Sequence, residues 1–251
     1  MDTGLHGRRA LVCGASQGIG RATALEIASL GAEVVLLARR QEPLDALAGE
    51  IRGAGGTATV LVADLDAGVP TLPDGIQIVV HNTGGPAGGP LIEADADALI
   101  GAFRRHVLSA HAIAQQVLPS MRAAGYGRFV NVLSTSVYEP IDNLGVSNLT
   151  RAAMASWAKT LANELPPGIT VNNVLPGYTD TERLASLAGA RAQRSGSTTE
   201  AVQEAWANAV PEGRLGRPTE TAQVIAFLVS PAASYVRGQS LAVDGGRLRS
   251  I

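Results

Sequence analysis

The feature that most restricts what this chain can become is a glycine-spaced turn, Gly14-Ala15-Ser16-Gln17-Gly18-Ile19-Gly20. It sits between an apolar run ending at Cys13 and a helical pattern opening near Arg21. Gly14 permits a tight turn, Gly18 a close backbone approach, and Gly20 close packing of helix on strand. The unpaired N–H groups of the helix start, with Ser16, Gln17 and Ile19 in the loop, then face a pyrophosphate. Glycine turns are common and the plain reading is a structural turn. Its place between a first strand and a first helix favours the cradle.

Behind it, short β-branched runs alternate with longer helical patterns, as in the βαβ units of a parallel sheet. Strands are expected at 9–13, 33–38, 57–62, 76–81, 127–133, 170–174 and 240–243. Several are apolar throughout, which suits strands covered on both faces. Helices are expected near 18–30, 43–53, 95–124, 145–165 and 219–229. The link from Asp64 to Ile76 holds Pro70 and Pro73, is near the minimum for a parallel crossover, and has room for one helical turn at most. The expected fold is α/β: a Rossmann-like doubly wound parallel sheet of about seven strands, three-layer αβα. A single nucleotide-binding domain is expected over residues 1–251. Residues 181–211, rich in Ala, Ser, Arg and Gly, read as a helical excursion over the carboxyl ends of the strands. That excursion is either a substrate-side lid or a surface helix pair.

Composition narrows the function classes. The formal net charge is −2 and the basic residues are scattered, so no stripe suits a nucleic-acid backbone. The one cysteine, Cys13, lies in an apolar run, reads as a small buried hydrophobe, and excludes an internal disulfide framework. Residues 1–9 lack the apolar core of a signal peptide, and no stretch approaches the ~18–20 apolar residues that span a bilayer. A soluble, cytoplasmic protein with a small-molecule substrate and neither membrane nor nucleic-acid partner is expected. His106 and His111 are five apart with no carboxylate to complete a set, so no metal is expected.

The second strand ends Leu36-Leu37-Ala38-Arg39-Arg40. An acid at that place would bond the adenosine 2′-hydroxyl, whereas an arginine accommodates a 2′-phosphate. Two guanidinium groups and no acid favour NADP(H) over NAD(H). The alternative is a pair of solvated loop arginines.

Further segments complete a pattern. Asp64-Leu65 follows the third strand, His81-Asn82-Thr83-Gly84 the fourth, and Pro176-Gly177-Tyr178-Thr179-Asp180-Thr181 the sixth. Gly213-Arg214-Leu215-Gly216-Arg217-Pro218 and Val243-Asp244-Gly245-Gly246 close the chain. With the glycine turn, these make the chain resemble the short-chain dehydrogenase/reductase family, and its 3-oxoacyl-acyl-carrier-protein-reductase-like members, over nearly its whole length. The resemblance implies that Asp64-Leu65 holds the adenine and that Asn82 and Gly84 line the cofactor. It also implies that the Pro176-Gly177 turn, with Thr179 and a final Thr181, reaches the nicotinamide carboxamide. Cys13 replaces that family's usual threonine.

The same resemblance implies a tetrad of asparagine, serine, tyrosine and lysine. Arg128-Phe129-Val130-Asn131-Val132-Leu133-Ser134 resembles the strand that ends on the serine, so Ser134 is retained. Thirteen residues on, Ser147 stands where the tyrosine belongs; four further, Arg151 stands where the lysine belongs; His106 takes the asparagine's place. A phenol titrates at about 10 and can protonate a carbonyl oxygen as hydride arrives. Serine is far less acidic and stops several ångströms short. Arginine, protonated to beyond pH ~12, cannot relay a proton, though it can hold ribose hydroxyls, a phosphate or a carboxylate. Positions 147 and 151 are one helical turn apart, so the pair's geometry is kept while its acid is lost.

Other groups offer themselves. His106 either donates a proton through water or is a hydrogen-bonded structural histidine. Tyr138 and Tyr178 either swing a phenol inward or merely line the pocket. His81 reads as closing its strand, and His111 as a helix-surface residue. The run 84–90 gives a stiff, side-chain-poor wall or a plain long turn.

Three functions stay open. The first is an NADP(H)-dependent oxidoreductase of carbonyls or secondary alcohols with a rebuilt proton donor: Ser134 orients the carbonyl and Arg151 holds ribose or polarises substrate. The second is a lyase, isomerase or dehydratase in which Arg151 stabilises an oxyanion and His106 is the base. The third is a silent cofactor-binding module. Broad apolar stripes on 95–124 and 145–165, which build a helical dimer interface in the resembling family, imply a homodimer or homotetramer.

Overall fold

A computed structural model of the chain describes residues 3–250. The ends of the expected domain and N-terminal stretch, Met1, Asp2 and Ile251, lie outside the described residues. Seven strands, β1 (Arg9–Cys13), β2 (Glu33–Ala38), β3 (Thr57–Val62), β4 (Ile76–His81), β5 (Gly127–Val132), β6 (Ile169–Pro176) and β7 (Ser240–Val243), form one sheet in the order 3-2-1-4-5-6-7. Every pairing is parallel. The helices are α1 (Gly18–Ser29), α2 (Gln41–Gly53), α3 (Ala96–Phe103), α4 (Ser109–Ala124), α5 (Gly145–Glu164), α6 (Glu182–Ser195), α7 (Thr199–Asn208) and α8 (Pro218–Val229).

Continuous apolar strands need a cover on each side, and the two-residue period of the pleat divides them between two cores. Ala10, Val12, Val34, Leu36, Ile78, Val80 and Val130 pack with Ala24 and Ile27 of α1, Leu44 and Leu47 of α2, and Ile225 and Val229 of α8. The alternate residues Leu11, Cys13, Val35, Leu37, Val79 and Phe129 pack with Ile113, Val117 and Met121 of α4 and Ala158 and Ala162 of α5. Each fully buried aliphatic side chain contributes about 1.5–3 kcal/mol. Burial pushes the Cys13 thiol up to about 12, so it is an inert filler of the second core.

The β3–β4 crossover has no helix, only a turn after Val62. Leu65 and Leu72 fill the place a helix would take. The Gln116 side chain of α4 pins the segment, accepting from the Leu72 amide at 3.1 Å and donating to the Pro70 carbonyl at 3.2 Å.

One expectation is corrected. The helix over 95–124 is interrupted: residues Arg104–Leu108 widen into a π turn, where the Ser109 amide reaches the Arg104 carbonyl five residues back. The Ser109 hydroxyl donates to the Arg105 carbonyl at 2.5 Å, taking an acceptor that a regular helix would use for its own ladder. The excursion over 181–211 is a helical hairpin, α6 and α7, closed by Leu184, Ala188, Ala192, Val202 and Trp206.

Candidate functional site

The order of the sheet reverses between β1 and β4, and a doubly wound sheet opens a crevice there, outside the carboxyl ends of its strands. A cavity of about 590 Å³ occupies that place. The glycine loop forms its floor. Gly14 has φ of +63° and Gly18 +54°, a left-handed geometry that disfavours a side chain. A Cβ on Gly14 would lie 2.3 Å from the Asn82 carbonyl, so the ends of β1 and β4 meet there without a side chain between them. Asn82 also ties the loop down, its Nδ2 donating to the Gly14 carbonyl at 3.4 Å. Gln17 gives α1 no side-chain cap, which leaves the first helical amides for a ligand, and Ser16, Gln17, Gly18 and Ile19 all line the cavity. Gly20 does not line it; a Cβ there would lie 2.2 Å from the Gly14 carbonyl, so its part is packing.

Arg39 and Arg40, both exposed, stand at one end of the cavity, with Arg40 donating to the Gln17 side chain at 2.6 Å. Asp64 and Leu65 form the adjoining wall. Asn82 and Gly84 border it from β4, and Pro176, Gly177, Thr179 and Thr181 from β6. Thr181 caps α6, accepting from the Leu184 amide at 3.2 Å. Its methyl would be 3.2 Å from a Cβ on Gly18, so Thr181 stands beside the glycine loop. Loop, bare helix start, paired arginines and cavity size together fit a 2′-phosphorylated dinucleotide.

Ser134, Ser147 and Arg151 line the same cavity. The Ser134 hydroxyl accepts from the Ser136 amide at 3.1 Å, which orients it at the end of β5. Arg151 is buried and spans the strand ends, donating to the Val132 carbonyl at 2.7 Å and the Thr83 carbonyl at 3.2 Å. Burial, with the charges of Arg183 and Arg105 adding to it, draws Arg151 down to about 10, so it remains a cation at neutral pH. The buried Thr83 hydroxyl beside it has no hydrogen-bond partner among the described residues.

The other two proposed donors are placed elsewhere. His106 is buried in the π turn behind the cavity wall, its Nδ1 3.0 Å from the Thr150 hydroxyl and its Nε2 3.2 Å from the Gly84 carbonyl. A carbonyl only accepts, so Nε2 carries a proton, while Nδ1 shares the Thr150 hydroxyl with the Val146 carbonyl, 2.9 Å from that hydroxyl. Burial, reinforced by the Arg151 charge, draws His106 down to about 2. A ring with both nitrogens engaged and no charge at neutral pH corrects the reading of His106 as a proton donor. Tyr138 is 51% exposed and donates to the Ser240 carbonyl at 3.0 Å, outside the cavity, which corrects its reading as a donor too. Tyr178 stacks on Trp206 with ring centroids 5.1 Å apart. His81 closes β4 against the Ser109 hydroxyl at 3.0 Å. Among the described residues no group of three or more His, Cys, Asp or Glu could hold a metal.

Two features of the site escaped the sequence reading. Asp66 holds Arg105 with two bonds of 2.7 and 2.5 Å, and both line the cavity. Arg183, from the first turn of α6, reaches the glycine-proline wall and donates to the Pro86 carbonyl at 2.6 Å. That wall is stitched to the start of α5, with Gly89 donating to the Asn143 carbonyl at 2.6 Å. An Asp-x-x pattern or an arginine after a helix cap is too common to have singled out either.

Known proteins are similar to this chain over nearly its whole length. A family model described as enoyl-(acyl carrier protein) reductase matches residues 14–247. The 3-oxoacyl-(acyl-carrier-protein) reductase of Pseudomonas aeruginosa is 33% identical, with 98% of this chain and 99% of that protein covered. Cis-4-hydroxycyclohexanecarboxylate dehydrogenase of Sinomonas cyclohexanicum is 36% identical over 95% of this chain and 96% of that protein. The L-sorbose reductase of Gluconobacter frateurii, solved with NADPH and L-sorbose, superposes with a TM-score of 0.92 at 29% identity, covering 100% of both chains.

Proposed function

Because this chain belongs to the short-chain dehydrogenase/reductase family, we propose that it is an NADP(H)-dependent oxidoreductase of a carbonyl or secondary alcohol, one whose proton donor is not the family's phenol. The observation that carries this reading is the convergence of the glycine cradle, Arg39 and Arg40 with Ser134, Ser147 and Arg151 on one cavity. NADPH, as in the solved sorbose reductase, would supply hydride to the carbonyl carbon. Arg39 and Arg40 would pair with the 2′-phosphate, and the amides of Gly18 and Ile19 with the pyrophosphate.

The remaining steps belong to the chain's own side chains. Ser134 donates a hydrogen bond to the carbonyl oxygen and orients it. Arg151 cannot give up its proton near neutral pH, yet its charge stabilises the nascent alkoxide. A water bonded to the Ser147 hydroxyl then delivers the proton, and the hydroxide it leaves is reprotonated by solvent entering the cavity. The non-redox reading loses support here: His106, drawn down to about 2 with both nitrogens bonded, is a poor base. We also propose that α6 and α7 act as a substrate-side lid on a single domain, and that α4 and α5 pair with a second copy.

The test begins with NADPH fluorescence on titration with protein, followed by NADPH loss with a panel of ketones. Binding and slow ketone reduction are expected. Joint substitution of Ser147→Tyr and Arg151→Lys should raise that rate by about 100-fold or more, the usual reach of a placed general acid. Absence of NADPH binding, or substrate conversion with no nicotinamide turnover, would overturn the proposal.

A further inference from the structure

The cavity is short of negative charge at one end. Five of its lining side chains are arginines: Arg39, Arg40, Arg105, Arg151 and Arg183. Arg105 is neutralised by Asp66, and Arg39 and Arg40 stand at the far end beside the glycine loop. Arg151 and Arg183 have no carboxylate partner among the ion pairs of the described residues. Each is held by backbone carbonyls alone, of Val132 and Thr83 for Arg151 and of Pro86 for Arg183. A guanidinium has five N–H donors, so each keeps several for a ligand. Burial draws both below the ordinary arginine value, reinforced at Arg151 by the charges of Arg183 and Arg105 and at Arg183 by that of Arg105. Two desolvated like charges in one cavity are unfavourable unless an anion joins them.

Their position says which anion. Arg183 lies over Gly85, where a Cβ would come within 3.2 Å of its Nη2, on the same wall as Leu184 and Leu187 of α6. Arg151 stands one helical turn from Ser147 at the reacting end. We propose that Arg183, aided by Arg151, grips a carboxylate on the substrate, so that the protein acts on oxo acids or hydroxy acids in preference to neutral ketones. This rests on the reading of the site as an NADP(H) oxidoreductase pocket. The cofactor's own pyrophosphate is the other anion of the same chemistry that could reach Arg183.

Calorimetric titration separates these sources. The protein is first titrated with NADP⁺, and its NADP⁺ complex then with pyruvate, acetoacetate and 4-oxopentanoate, each beside its methyl ester. At least one acid should bind about 10-fold or more tightly than its ester, as a charge-assisted pair provides. In Arg183→Gln that preference should fall to about twofold or less with NADP⁺ affinity kept, and Arg183→Lys should restore part of it; the lysine variant decides alone if the glutamine one fails to fold. No preference for any acid, or a preference that survives Arg183→Gln, overturns the proposal. Weakened NADP⁺ binding with the acid preference intact assigns Arg183 to the pyrophosphate and overturns it as well. If NADP⁺ does not bind at all, the cofactor reading fails separately, and the same six titrations on the protein alone still decide the carboxylate question.

Discussion

His106 shows how one residue can hold the site's shape without entering its chemistry. Its bonds to Thr150 of α5 and to Gly84 after β4 join three elements behind the reacting end, and burial with the Arg151 charge keeps the ring neutral. His81 is held neutral nearby, its value drawn down to about 3 by burial and by the Arg151 charge. The unfolded chain binds a proton at each histidine below about pH 6.5, whereas the folded chain does not until about pH 2 or 3. The unfolded state therefore gains protons first, and stability falls as the pH drops through this window. Each histidine should contribute a slope on the order of 1.4 kcal/mol per pH unit below about 6.5. Urea unfolding between pH 5 and pH 7 should show the decline, and His106→Asn should remove about half of its slope. Unchanged pH dependence in that variant would mean the histidine is charged in the folded protein.

At the scale of elements, the glycine loop and α1 are one unit. Gly20 lies inside α1, where alanine is ordinarily favoured by about 1 kcal/mol, yet its Cβ would come within 2.2 Å of the Gly14 carbonyl and 2.7 Å of Asn82 Nδ2. Gly20→Ala should destabilise the fold by about 1–3 kcal/mol and weaken NADP⁺ binding, since the loop must lift to make room. Gly49→Ala in α2, where nothing lies within 4 Å, should stabilise it by about 0.5–1 kcal/mol. Urea unfolding of both variants checks the contrast. These elements were legible beforehand because their signals are local: a glycine spacing, a β-branched run, and the separations of Ser134, Ser147 and Arg151. The π turn over Arg104–Leu108 was not, because its cause is tertiary. It depends on Ser109 capturing the Arg105 carbonyl and on Arg105 reaching Asp66, 39 residues away. Arg183 was illegible for the same reason, since only the folded α6 turns that side chain toward Pro86. His106 stood in the sequence as an open choice, and only its two bonded nitrogens decide it.

The whole molecule leaves an apolar face uncovered. Ile100 and Phe103 on α3, Leu108 at the end of the π turn and Leu149 on α5 are 54%, 42%, 51% and 50% exposed. These elements adjoin one another on the side of the sheet that carries α4 and α5. A twofold pairing of this face with itself would remove each of the four side chains from water twice. At about 1.5–3 kcal/mol for a fully buried aliphatic side chain, half-exposed ones return about half as much. Light scattering on the purified protein should accordingly give a dimer, or a tetramer built from it. Phe103→Glu with Leu149→Glu would place four carboxylates in such an interface and should weaken association by about 100-fold or more, releasing monomer at micromolar concentration. The consequence for the site is direct, because Phe103 and Leu108 flank Arg105 and His106. An interface that clamps the π turn also clamps the Arg105–Asp66 wall and the His106–Gly84 bond. The released monomer should therefore bind NADP⁺ less tightly than the dimer, by a titration run on both. Equal affinity would show that the π turn keeps its shape without a partner, and a wild-type monomer would show that the exposed face is not an interface between copies.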